Sequence, residues 1–350
     1  MKRWSLILKV AVSLGFIAML AFTLDMNDLL AQARKVHAGY LAASVVFSYL
    51  MVAASAWKWW YILKMQGNPL TLRSLFRWYF IGYFYSNLLP SNVGGDVARA
   101  WLAGRQCGSG SAALISVFIE RFTGSLVLLT LGITLPFAFQ EFWPHPTVWP
   151  VMLMAGGLLA GLVAVMVFGR QAARSNGRVR LAGVARRWLR ADRPGRMAAL
   201  WERLAGKVET LGGKADEALA LFQRQPRVAA GVMGLTVLHY AMVVGNVLLG
   251  YLAFGFCPSV GGIAAILPVA MLVGMIPISL GNLGIAEGSY VWYFGLIGVS
   301  GELTLAMGLL LRAKIILLGL TGMVIQMGER VSGSNGQLAN ADDPAVGGAS

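Results

Sequence analysis

The stretch SLFRWYFIGYFYSNLLPSNVGGDVARAWLAGR, residues 74–105, decides how this chain is read. Its first half is apolar and aromatic but shorter than a full membrane span. It runs into Pro90, which lacks a backbone donor and clashes with the preceding turn. Gly94 and Gly95 follow at once and tolerate irregular backbone, so a helix should break here. Broken backbone at membrane depth must be shielded by protein or water. Residues 70–107 begin and end near Arg73, Arg77, Arg99 and Arg105, which fits a hairpin that enters from one face and returns to it.

The chain around it is membrane protein throughout. Of 350 residues, 57% are hydrophobic and only 13% charged, with a mean hydropathy of +0.66. Soluble domains are typically about 25% charged. The apolar residues come in runs of about 20, the length needed to cross hydrocarbon as helix. Such runs cover 4–24, 40–63, 111–139, 148–169, 228–254 and 303–327. A second broken element lies at 260–298, where ISLGNLGIAEGSYVWYFGLIG follows Pro277. The expected fold is therefore all-α and polytopic, with about six full transmembrane helices and two re-entrant broken hairpins.

Charge sets the orientation. The net charge is +14, and residues 170–227 hold 14 of the 29 basic residues against five acidic ones, a net of +9. Cytoplasmic loops collect Lys and Arg, so this loop and Lys2, Arg3, Lys58, Lys64, Arg73, Arg77, Arg99 and Arg105 are placed inside. Residues 137–148 and 255–259 lack cations and read as external. Both termini are then cytoplasmic and the hairpins enter from opposite faces. The resulting division is an N-terminal membrane half (1–169, with hairpin 70–107), a basic loop (170–227), a C-terminal membrane half (228–328, with hairpin 260–298) and a polar, disordered tail (329–350). Apolar positions interleaved with arginine make the loop an amphipathic surface for anionic lipid headgroups rather than a nucleic-acid site.

The two hairpins share a pattern. Pro90 and Pro277 are each followed four positions on by a glycine, Gly94 and Gly281. Arg99 lies nine residues after its proline and Glu287 ten after its own, and each hairpin precedes a span bearing an arginine, Arg121 or Arg312. This reads as an inverted repeat whose half-membrane elements form a polar midplane site. Discontinuous helix ends expose amide donors that favour an anionic group, and arginine adds a fork for phosphate oxygens. Charges at bilayer depth are costly, so Glu120, Arg121, Glu287, Arg312 and Lys314 should face the protein interior or a water-filled cavity. The plainer reading of the same residues is a set of structural ion pairs, Glu120 with Lys314 or Glu287 with Arg121. Lys58, Arg73, Arg77 and Arg105 are expected to snorkel to headgroups. His239 and Asn246 are expected to hydrogen-bond between helices, and Trp78, Tyr79, Tyr83, Tyr85, Trp292 and Tyr293 to pack.

Cys107 and Cys257 are far apart, as are His37, His145 and His239, so neither a disulfide framework nor a metal site is expected. No GxSxG, HExxH or P-loop occurs, so hydrolytic and ATP-driven chemistry is not encoded by these motifs.

The strings SNLLPSNVGGDVARAW (86–101), FIERFTGSLVLL (118–129) and PISLGNLGIAEGSYVWYFGLIGV (277–299) resemble the membrane region of the lysylphosphatidylglycerol synthase family, also called UPF0104. The resemblance runs from about Leu6 to Gly328. It implies lipid translocation between leaflets, with related stand-alone members tied to hopanoid or polyprenyl-lipid pathways. By similarity Pro90, Gly94, Gly95, Asp96, Arg99, Glu120, Arg121, Pro277, Gly281, Gly284 and Glu287 fall on its motifs. The resemblance does not extend to the soluble aminoacyl-transfer domain of two-domain members, so no enzyme activity and no cofactor are expected. The expected function is movement of an anionic, polyprenyl or glycerophospho-lipid across a bacterial inner membrane, with Arg99, Arg121 and Arg312 engaging the headgroup and Glu120, Glu287 and Asp96 positioning them. The lipid would come from a lipid-synthesising partner enzyme. Two other readings stand beside it: an intramembrane transferase using Asp96, Glu120 or Glu287 as base, and a scaffold that recruits enzymes through the basic loop.

Overall fold

The structure, a computed structural model, describes residues 36–68, 70–88, 94–139, 145–174, 220, 222, 224–275 and 284–341, with side chains to 164 in the helix that ends at 174 and to 329 in the last helix. The apolar run at 4–24, most of the basic loop, and Pro90, Pro277 and Gly281 lie outside the described residues.

Among the described residues every regular element is helical: α1 (Ala38–Met65), α2 (Leu72–Leu88), α3 (Gly94–Cys107), α4 (Gly110–Ala138), α5 (Val148–Arg174), α6 (Pro226–Ala253), α7 (Val260–Gly274), α8 (Ile285–Gly295) and α9 (Gly301–Ala341). Local chemistry starts and stops them. Ser109 caps α4 by accepting from Ala112 N, and Ser259 caps α7 by accepting from Gly262 N. Pro226 begins α6, where its missing donor costs nothing. The end of α9 at Ala341 carries helix into part of the polar segment expected to be a tail.

Helices α1, α4, α6 and α9 are long and apolar enough to cross a membrane, by length and composition. Only 17% of the apolar window of α1 is buried within the protein, so most of that surface requires an apolar surround. Leu153 is 71% exposed and Val324 65%. A multi-pass membrane protein presents such groups to lipid.

The helices form a duplicated unit. α1 packs on α2, α2 on α3, α3 on α4, and α1 on α4; the same relations recur as α6 with α7, α7 with α8, α8 with α9, and α6 with α9. Between the units α1 lies on α6, while α2 packs on α9 and α7 on α4. One short helix of each unit, α2 or α7, is thus pinned by a long helix of the other. Tight apolar clusters fill both, one around Trp59, Leu75 and Phe80, the other around Tyr251, Ile266, Phe294 and Met307.

Candidate functional site

The first polar cluster is built on the α2–α3 pair. Gly82 and Gly95 let the two backbones touch: a Cβ on Gly95 would collide with the Gly82 carbonyl and the Ser86 hydroxyl. The start of α3 is thereby fixed against α2, and it carries Asp96 in its first turn, where the helix dipole favours a carboxylate. One turn on, Arg99 donates Nε and Nη2 to Asp96 Oδ1 (3.1 and 2.9 Å) and Nη1 to Glu120 Oε2 on α4 (2.6 Å). Arg99 is 2% exposed, and its guanidinium lies over the rings of Tyr79 (4.5 Å) and Trp59 (5.0 Å). The Tyr79 hydroxyl donates to Glu120 Oε1, and Lys58 Nζ donates to the Glu120 carbonyl at 3.4 Å. Arg121, next on α4, reaches back to grip both Asp96 oxygens, Nε to Oδ2 at 2.7 Å and Nη2 to Oδ1 at 2.8 Å. Its side chain is 66% exposed, whereas that of Arg99 is 3% exposed.

The second cluster stands at the start of α8. Gly284 has a φ of +84°, a conformation that costs an L-residue side chain, and its N–H donates to Glu287 Oε2 at 2.8 Å. The other oxygen, Oε1, accepts Nε and Nη2 of Arg312 from α9 at 2.9 and 2.6 Å. Glu287 is buried, while the Arg312 side chain is 33% exposed. On the neighbouring turn of α9, Gly308 lies beside the Glu287 side chain. Ser289 ties α8 to α7 through the Ala270 carbonyl at 3.0 Å.

These contacts redraw the correspondence between the hairpins. Distance from the prolines matched Arg99 to Glu287; geometry matches Asp96 to Glu287. Each is an acid in the first turn of a short helix, and each is gripped by an arginine 25 residues later, Arg121 or Arg312. Tyr290 occupies on α8 the place that Arg99 occupies on α3, so the Arg99–Glu120 bridge is an elaboration of the first unit. The expected site residues fall into two clusters, Asp96–Arg99–Glu120–Arg121 and Glu287–Arg312, and among the described residues no hydrogen bond or ion pair joins them.

Several expected partnerships are corrected. Glu120 pairs with Arg99 and not with Lys314; Glu287 pairs with Arg312 and not with Arg121. Lys314 instead donates to Asn246 Oδ1 at 2.7 Å and to Ser44 Oγ at 3.4 Å. Lys58 is buried at 6% exposure and does not snorkel, because one turn of α1 places it beside α4 rather than at the surface. Arg73 is exposed, Arg105 lies over the Trp101 ring, and Arg77 pairs with Glu329 at 2.7 Å. His239 and Asn246 do bridge helices, to Ser55 and Ser48 on α1. Tyr79, expected only to pack, and Trp59 touch the charges as well, which the sequence did not announce. Their contact with the charges spans 41 residues in the case of Tyr79 and Glu120, so no local spacing announces it. A cavity of about 650 Å³ lies away from both clusters, between the other ends of α2 and α3 and the Glu329 turn of α9, lined by Ser74, Arg77, Arg105 and Glu329 among others.

The family model described as the lysylphosphatidylglycerol synthase TM region matches residues 6–321, a range that contains both clusters. The chain belongs to that family. It is similar to a UPF0104 membrane protein of Methanothermobacter thermautotrophicus, 24% identical over 310 residues that cover 85% of this chain and 88% of the relative. No solved structure matches. Family membership and the long apolar helices together place the chain in a membrane as a multi-pass protein.

Proposed function

We propose that the protein moves an anionic lipid between leaflets, with Arg121 and Arg312 as the paired headgroup ligands. The observation that carries this reading is the repeated clasp: two short helices inside an apolar bundle each begin with an acid held by an arginine from a long helix. Half-helix N-termini supply amide donors, and a guanidinium that is partly open can exchange its carboxylate for a phosphate of equal charge and similar geometry. Arg99 is enclosed and satisfied on both sides, so its part is to hold Asp96 and Glu120 in place.

The two units are taken to have opposite orientations across a bacterial inner membrane, with the termini and the basic loop cytoplasmic, so that each clasp serves one leaflet. The basic loop then holds the cytoplasmic face to anionic lipid, near the enzyme that supplies the substrate. A transferase reading fits less well, because each candidate base, Asp96, Glu120 and Glu287, is engaged by arginine within 2.6–2.7 Å.

The test is lipid movement in vesicles containing the purified protein, measured with a headgroup-labelled phosphatidylglycerol. Arg121→Ala and Arg312→Ala should each slow movement by about 10- to 100-fold, the worth of one charge-assisted contact. Full movement by both variants would remove the assigned site.

A further inference from the structure

Arg99, Arg121 and Arg312 each have a carboxylate oxygen within 2.6–2.7 Å. Lys314 has none. It is 4% exposed, and its Nζ donates to Asn246 Oδ1 on α6 and Ser44 Oγ on α1. The amide of Asn246 donates on to Ser48 Oγ at 3.3 Å, and that hydroxyl donates to the Ser44 carbonyl at 3.0 Å. Every one of these partners is neutral.

The charged and titratable groups on the helices around α9 are turned to other work. Glu287 on α8 holds Arg312, and Arg77 on α2 holds Glu329. On α1, Lys58 meets the Glu120 carbonyl and Tyr49 meets Thr321. On α6, His239 meets Ser55 and Tyr251 meets Thr304. Glu302 stands in the first turn of α9, three turns away.

The choice of cation matters chemically. A guanidinium keeps its proton in any protein setting, whereas a lysine amine can exchange one. An ammonium brings three protons, and among the described residues two acceptors are in place, which is the number a neutral amine needs. We propose that Lys314 is a proton-exchange site, and that its switching between ammonium and amine couples lipid movement to a proton gradient. One N–H bond breaks, its electron pair stays on Nζ, and the proton passes to water; the reverse step restores the ammonium.

The location suits coupling. Lys314 sits where α1 and α6, the matching first helices of the two units, meet α9. An ammonium without a counter-charge favours hydration of that junction, and an amine favours its closure. Arg312 lies two residues earlier on α9, so a shift of this helix moves the Glu287 clasp with it.

This inference rests on the transport reading, and one experiment separates the two. The full chain is placed in phosphatidylcholine–phosphatidylglycerol vesicles, and labelled phosphatidylglycerol is followed with and without an imposed pH gradient. Wild-type protein should move lipid faster under the gradient. Lys314→Gln and Lys314→Arg should retain movement without a gradient and lose the acceleration. Asn246→Asp, which gives the lysine a fixed counter-charge, should do the same and serves if the lysine variants do not fold. A gradient response in Lys314→Arg equal to wild type overturns the proposal, since arginine releases no proton. So does a wild-type rate indifferent to the gradient, or loss of gradient-free movement in folded Lys314→Gln, Lys314→Arg and Asn246→Asp alike. Absence of any wild-type lipid movement sinks the transport reading itself.

Discussion

Arg312 donates Nη2 to Glu287 Oε1 at 2.6 Å across an interval of 25 residues, the same interval over which Arg121 grips Asp96. In both cases the acid stands in the first turn of a short helix and the arginine on the long helix that follows. Glu287 does two jobs, satisfying the Gly284 N–H with one oxygen and Arg312 with the other.

Glu287→Ala should therefore remove a helix cap and a partly buried ion pair together. Fully buried pairs cost about 3–5 kcal/mol to break, and the third of Arg312 left in the open reduces that to about 2–3 kcal/mol here. Glu287→Gln keeps an acceptor for Gly284 and should lose less. Thermal unfolding of detergent-solubilised protein, read by tryptophan fluorescence, ranks the two; equal losses would contradict the double role.

Glu120→Leu strands Arg99 with Asp96 as its remaining carboxylate in an enclosed site, and about 3–5 kcal/mol of stability should go with it. Replacing both partners, as Arg99→Met with Glu120→Leu, should recover much of the loss, because the desolvated charges leave together. A double variant no more stable than the single one would show that Arg99 is held by something other than this pair.

Tyr79→Phe keeps the ring over Arg99 and removes the hydroxyl that donates to Glu120. A hydrogen bond to a charged acceptor contributes about 1.5–3 kcal/mol, and the unfolding midpoint should fall accordingly. Tyr83→Phe, on the same helix one turn on, is the control and should fall less.

Gly95→Ala drives a methyl group into the Gly82 carbonyl and the Ser86 hydroxyl. Overpacking typically costs about 1–3 kcal/mol, and a backbone contact has little room to yield, so the upper end is expected. Because the strain falls on the base of Asp96, lipid movement should drop as well. A fully active, fully stable alanine variant would mean that α2 and α3 are not pinned there.

Much of this was legible in order of sequence. The apolar run from 111 to 139 returned as α4 and the run from 228 to 254 as α6, since length and hydropathy are properties of the chain itself. Gly95 lies in the first turn of α3 and Gly284 caps α8, as residues that tolerate irregular backbone. Pairing was not legible: the plainer reading offered Glu120 with Lys314 or Glu287 with Arg121, because the local sequence says that a buried charge needs a partner but not which helix supplies it. Lys58 was assigned to the headgroups because its neighbours are Trp57, Trp59 and Trp60. Helical geometry turns it inward all the same, toward α4.

The sequence alone determined that the chain is an all-helical membrane protein and which of its stretches are apolar enough to cross a bilayer, because hydrophobic run length acts locally. Tertiary structure alone decided that Asp96 corresponds to Glu287, that Arg99 is enclosed while Arg121 is open and Arg312 partly so, and that Lys314 lies, among the described residues, against neutral groups. Those outcomes depend on which faces of remote helices meet, and the packing of α2 on α9 and of α7 on α4 settles that only once the whole bundle has closed.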